Sequence, residues 1–446
     1  MGKGATPGNR SERRQPDGAA VSYGEGFLPT DEAGNMEPVT LGLAKTHPTG
    51  RGQRTGVRGI WARQLGQVFM GHLGGEGRKR TAGIAPALGS ARPPGRQGER
   101  PRARSKGPAK GPAVYSAVDL GTNNCRMLIA RPDGETFRVI DSYSRITRLG
   151  EGLASSGCLS AEAQNRTIEA LKRCVDKMER RGVTNSRNVA TEACRRAVNG
   201  PEFLDRVRSE TGMDLECITA NEEARLALTG CASLLRRNHP YALVFDIGGG
   251  STELLWVKLT ESPFPCVEGF TTLPLGVVTV AEACGGGDLG ARTYRTVVDH
   301  VRAQLAPFEA RHGIGRFIAE GRAQMLGTSG TVTTLGGLHL GLTRYDRSAV
   351  DGLVIDLSTV HDLSRGLAAM SHRQRADSPC IGPQRADLVL AGCAILEGIC
   401  ETWPMPALRV ADRGLREGML LDLMSGTVSA TPATTTDTAV PLPVPA

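Results

Sequence analysis

At 446 residues the chain has the length of two or three domains, but composition divides it before any pattern is read. Residues 1–112 hold 23 Gly and 11 Pro, with 19 Lys and Arg against 8 Asp and Glu, whereas residues 113–446 carry 35 basic and 38 acidic side chains. The first stretch cannot bury enough apolar surface to fold, so the formal charge of +8 belongs to a disordered extension. A fold that grips nucleic acid is basic in its folded part, and this one is slightly acidic there, which excludes a specific nucleic-acid partner.

The most apolar run, Leu388–Ile399, is interrupted by Gly392, Glu397 and Gly398 and falls short of a membrane span. No secretory apolar segment stands near the start, and the 11 cysteines never form C-x-x-C. A cytoplasmic protein with reduced thiols and no membrane partner is expected.

Order is expected from Ala113. Residues 113–119 and 125–130 read as two strands around a tight turn, with a third strand near Phe137–Ile140. Ser160 then precedes a helix whose apolar positions Ile168, Leu171, Val175 and Met178 recur at helical spacing, and Gly182 ends it. A strand ends at Thr191, a short helix covers 201–211, and residues 215–219 read as a strand running into an acid-rich helix start at Asn221. After Pro240 the opening pattern returns: strand 241–246, turn 247–252, strand 253–257. The strand-turn-strand unit is thus duplicated, with Asp119 and Asp246 at equivalent strand ends. Two related α/β halves, 113–239 and 240–424, are expected to face each other across a central cleft, with a last helix at 415–424 packing back on the first half, followed by a disordered tail, 425–446.

Both turns carry the chemistry of anion binding. Gly121, Thr122 and Asn123 in the first, and Gly248, Gly249, Gly250, Ser251 and Thr252 in the second, offer backbone amides and hydroxyls to phosphate oxygens. Asp119 and Asp246, acids at equivalent strand ends, can hold a hard cation through water. A third loop, Gly327, Thr328, Ser329, Gly330 and Thr331, enters a helix and turns its amides toward the same kind of ligand. Gly285–Gly290 fits G-x-G-x-x-G but follows no clear strand, so it reads as a surface loop.

Taken in order, the segments 117–123, 190–199, 221–225, 244–253, 273–276, 327–331 and 413–418 resemble the exopolyphosphatase and guanosine pentaphosphate phosphohydrolase family. The resemblance runs from about Val114 to Met424 and implies an actin-like (ribonuclease H-like) fold of two domains. It implies metal-dependent hydrolysis of the terminal phosphate of inorganic polyphosphate or of guanosine pentaphosphate. Glu223 is then the general base, Arg195 contacts the phosphate chain, and Asp119, Asp246 and Glu253 hold Mg²⁺ or another divalent cation. The resemblance also implies a homodimer. Longer members of that family continue past this core into a helical domain of HD-phosphohydrolase type, whereas the resemblance here ends near Met424, so the sequence is similar to a short form. A binding module for alarmone or polyphosphate would need the loops but not Glu223.

Overall fold

A computed structural model describes residues 39–40, 113–262 and 264–426. Apart from Val39–Thr40, the expected extension lies outside the described residues, as does the tail after 426. Val39–Thr40 form a short strand, β1, within the stretch expected to be disordered, because they pair with an open strand edge.

The first sheet begins with an antiparallel meander of β2 (Tyr115–Leu120), β3 (Asn124–Asp133) and β4 (Thr136–Ile146). β5 (Asn185–Ala190) lies parallel to β2, and β6 (Glu216–Cys217) lies parallel to β5. β1 pairs with the outer edge of β4, whose amides and carbonyls would otherwise have no strand partner. The second sheet repeats the plan. β7 (Tyr241–Ile247), β8 (Thr252–Lys258) and β9 (Cys266–Leu273) form the meander, and β10 (Ala323–Thr328) lies parallel to β7. A short β11 (Val354–Asp356) pairs antiparallel with β12 (Ala407–Ala411), which lies parallel to β10. With β1 and β11 set aside, both sheets run third, second, first, fourth, fifth, so the duplication extends from the hairpins to whole sheets.

The central strands are covered on both faces. Ala117, Val118 and Leu120 of β2 and Ala242, Leu243 and Phe245 of β7 are buried, which is why each reads as a continuous apolar run rather than an alternating one. The helix Ala161–Arg181 closes one face of the first sheet through Ile168, Leu171 and Cys174. Its start is capped by the Ser160 hydroxyl, which accepts the Ala163 amide, and it stops at Gly182 with φ 64°. The apolar run noted above is the helix Val389–Thr402, buried along nearly its whole length in the second half. Among the described residues no helix is long and apolar enough to cross a membrane.

The last helix, Leu415–Ser425, returns to the first sheet, where Leu415, Met419 and Leu420 share a core with Ala117, Leu128, Val189 and Leu226. It crosses the helix Ala220–Cys231 at backbone contact: a Cβ on Gly418 would collide with the Leu226 carbonyl, and one on Gly230 with that of Gly414. The strand expected at 215–219 is cut to β6 because Thr219 serves as a helix cap, its hydroxyl accepting the Glu222 amide at 3.2 Å.

Candidate active site

A cleft of ≈ 240 Å³ lies between the two sheets, and the duplicated hairpins supply facing walls. The hairpins are built alike. Gly121 donates to the Asn124 carbonyl at 2.9 Å, and Gly248 to the Ser251 carbonyl at 2.9 Å. In each, the aspartate pairs in register with the residue seven positions on: Asp119 with Arg126, Asp246 with Glu253. The repeat thus sets a cation in one half where the other has an acid. The turns touch: a Cβ on Gly250 would lie 2.8 Å from both the Thr122 hydroxyl and the Glu192 side chain, so glycine is what lets the second turn approach the first.

Glu223 sits in the first turn of the helix Ala220–Cys231, behind the Thr219 cap, and lines the cleft. Its carboxyl is pushed well above the usual range, first by burial and then by the charges of Glu253 and Asp119, against the pull of Arg195. Asp246 rises to about 7 through burial and the charges of Glu223 and Asp119. Glu253 also rises to about 7, chiefly by burial, although the Ser251 hydroxyl donates to it at 2.5 Å. Asp119 is raised by burial, with Arg126 opposing. Four acids therefore raise one another at the cleft wall, an arrangement that favours a proton on one of them.

Gly121, Thr122, Asn123, Gly248, Gly249, Gly250 and Ser251 line the cleft, as do Thr328, Ser329, Gly330 and Thr331 of the third loop. Ser329 caps the helix Gly330–His339, its hydroxyl accepting the Val332 amide at 3.0 Å. Asp119 and Asp246 also line it. Four expected residues stand behind the wall instead. The Thr252 hydroxyl is turned away and donates to the Leu275 carbonyl at 2.6 Å, and Gly327 packs against the Phe245 ring. Glu253 lies behind Ser251 and also accepts from Thr272 at 3.3 Å. Arg195 is committed to protein partners: it reaches Glu223 at 3.2 Å, Glu192 at 2.7 Å and the Ile218 carbonyl at 2.7 Å. It braces Glu223 and is not itself among the groups that line the cleft.

For a metal, the donor chemistry fits a hard cation, since Asp119 and Asp246 present only oxygens and accept no hydrogen bond among the described residues. Yet no group of three or more His, Cys, Asp or Glu side chains among the described residues is arranged to hold one, so the expected trio with Glu253 does not converge.

Three arginines that the motifs did not single out complete the lining: Arg126, Arg385 and Arg416. Arg385 is lowered to about 10 and Arg416 is lowered too, in both cases first by burial and further by the nearby charge of Arg126. Like charges gathered in a half-buried wall favour an anion there. Arg126 was open to discovery from the repeat, because it occupies the place of Glu253; Arg416 lay in the quoted 413–418 segment without a role; Arg385 carried no signal. Two further lining arginines are paired, Arg347 with Glu417 at 2.6 Å and Arg413 with Asp351.

Comparison with known proteins gives one family. Residues 128–426 match the model of the Ppx/GppA phosphatase family. A guanosine-5'-triphosphate,3'-diphosphate pyrophosphatase of Vibrio campbellii is 28% identical over 312 residues, covering 70% of this chain and 59% of the relative. The chain thus spans well under two thirds of that relative's length. A Ppx/GppA family member from Aquifex aeolicus, with a crystal structure, is 27% identical, and the match covers 71% of this chain and 99% of that one with a TM-score of 0.59. An exopolyphosphatase structure from Cytophaga hutchinsonii, 22% identical with a TM-score of 0.64 over 71% of this chain and 99% of that one, speaks for the fold alone.

Proposed function

The chain belongs to the Ppx/GppA phosphatase family, and on that premise we propose that it hydrolyses the terminal phosphate of inorganic polyphosphate and releases orthophosphate. The observation that carries this reading is the make-up of the cleft: the acids around Glu223, the arginines Arg126, Arg385 and Arg416, and three amide- and hydroxyl-bearing loops all line one space. A linear polyanion with one reactive end matches that layout.

Glu223 takes a proton from water as the water attacks the terminal phosphorus, and Arg195 holds the carboxylate in position. The P–O bond to the next phosphate breaks, and the shortened chain leaves with its new terminal charge met by the lining arginines. Burial raises the basicity of Glu223 and strengthens each charged contact in the cleft. A divalent cation such as Mg²⁺, when bound, neutralises phosphate oxygens. Asp119 and Asp246 would hold it with the substrate's own oxygens, the usual manner of Mg²⁺, for which no all-protein cage is needed. The 11 cysteines are all free thiols, which supports a cytoplasmic setting. The homodimer belongs to the proposal as well.

The relatives' names favour a second reading, hydrolysis of guanosine pentaphosphate. Against it, Tyr345 is the single aromatic among the described residues lining the cleft, and its hydroxyl is bound to Asp412 at 2.7 Å, so little is offered for stacking a base. The test is phosphate release by the full chain with Mg²⁺ from long-chain polyphosphate, tripolyphosphate and guanosine pentaphosphate, beside Glu223→Gln. Release from polyphosphate that drops at least about a hundredfold in the variant supports the proposal. Release from the nucleotide only selects the second reading. An active Glu223→Gln removes the base from Glu223, and binding without any release leaves a binding module.

A further inference from the structure

The cleft is bridged outside its lining by two contacts that join the supports of the phosphate loops. Residues 147–150 hold the first loop: Thr147 and Arg148 donate their amides to the Asn123 carbonyl at 2.9 and 3.0 Å, and Gly150 donates to the Thr122 carbonyl at 2.9 Å. The helix Val277–Ala283 holds the second, with Val277 and Val278 donating to the Gly248 and Gly249 carbonyls at 3.0 and 2.8 Å. Gly152 then donates to Glu282 of that helix at 2.8 Å, tying one support to the other. Arg148 makes the second bridge. Its guanidinium reaches Asp387 at 3.1 Å and approaches the Gln384 carbonyl at 3.5 Å, so it grips both sides of Arg385.

Arg148 is also the one residue other than glycine among the described residues with positive φ, 49°. A long side chain in the left-handed region is strained, and such strain persists where surrounding contacts over-determine it. Here those contacts are the backbone bonds to the first loop on one side and the ion pair across the cleft on the other. The pair is partly open to solvent, with side chains 37% and 27% exposed, so it can break and re-form.

We propose that Arg148 and Asp387 form a latch: Arg148 is a positioning residue whose ion pair holds the two halves closed, setting the spacing between the first phosphate loop and Arg385. The proposal rests on the hydrolase reading above. A latch of this exposure biases the closed form modestly, and losing the competent fraction raises the apparent KM while leaving turnover at saturation nearly intact.

The decisive variant is Arg148→Gly, because glycine accepts φ 49° and keeps the backbone bonds to Asn123 while deleting the side chain. In the full chain with polyphosphate and Mg²⁺, Arg148→Gly and Asp387→Asn should each raise KM by about fivefold with kcat nearly unchanged, and the double variant should be no worse than either. Arg148→Lys should recover part of the loss. The thermal midpoint of Arg148→Gly should hold or rise. Wild-type kinetics in Arg148→Gly overturn the latch; so does a fall in thermal midpoint together with a fall in kcat at constant KM, which marks a merely structural role. Hydrogen exchange of segments 121–124 and 380–388 gives a readout without turnover, and both should exchange faster in the variant. A wild-type chain that releases no phosphate while the variant still loosens both segments sinks the hydrolase reading and spares the latch.

Discussion

As the proposed base, Glu223 has to be basic enough to take a proton and fixed enough to face a single water. Burial and Glu253 provide the first, and the 3.2 Å bond from Arg195 provides the second. The planar fork of Arg195 meets Glu192, Glu223 and Ile218 at once, which a lysine cannot do. Arg195→Lys should therefore misplace the base and lower kcat by up to roughly a hundredfold with little change in KM, as steady-state kinetics on polyphosphate would show. If KM rises instead and kcat holds, Arg195 contacts substrate after all. At this scale the sequence was informative about residue types and weak about facing. Along an extended strand one position reverses the face, so Ser251 enters the cleft while Thr252 turns to Leu275. Arg385 was silent because nothing local marks an arginine as part of a cleft wall; its surroundings come from distant parts of the chain.

At the scale of elements, the strand-turn-strand repeat was legible because apolar runs end in Asp and Gly at both places, and the paired register bears that spacing out. The crossing of the last helix on Ala220–Cys231 was expected only in outline, since a glycine's partner cannot be read from its neighbours in sequence. That crossing fixes the helix that carries Glu223. Gly418→Ala should force the two backbones apart and cost at least about 1–3 kcal/mol, seen as a lower midpoint in denaturant unfolding; an unchanged midpoint would mean that the helices are free to separate. Gly285–Gly290 read as a surface loop, and three successive glycines there adopt positive φ. Its Asp288 nevertheless engages the buried guanidinium of Arg375, a contact that no local pattern announces.

For the whole molecule, the buried pair of Arg347 and Glu417 ties the last helix to the second half. Burial alone would raise Glu417, yet the charges of Arg347 and Arg416, with the Gly414 amide, hold its carboxyl at about 2. A carboxyl depressed in the folded state contributes stability that is fully present above its ordinary value near 4.5 and is lost as pH falls toward about 2. Thermal midpoints should drop over that window, and Glu417→Gln should flatten the slope there; an unaltered slope would remove Glu417 as its source. The two-halved plan and the cleft were visible in the sequence through the repeat. How the halves are bound together was not, because ion pairs such as Arg148 with Asp387 join residues that no periodicity relates.

The return of Leu415–Ser425 to the first sheet also bears on how the protein is made. Synthesis delivers β2, β3 and β5 early, yet the apolar strip that covers one of their faces leaves the ribosome only after the entire second sheet has been translated. Until then Ala117, Leu128 and Val189 lack their final cover. The nascent first half must wait in an incomplete state, and the act that finishes it is the arrival of the chain's last described helix.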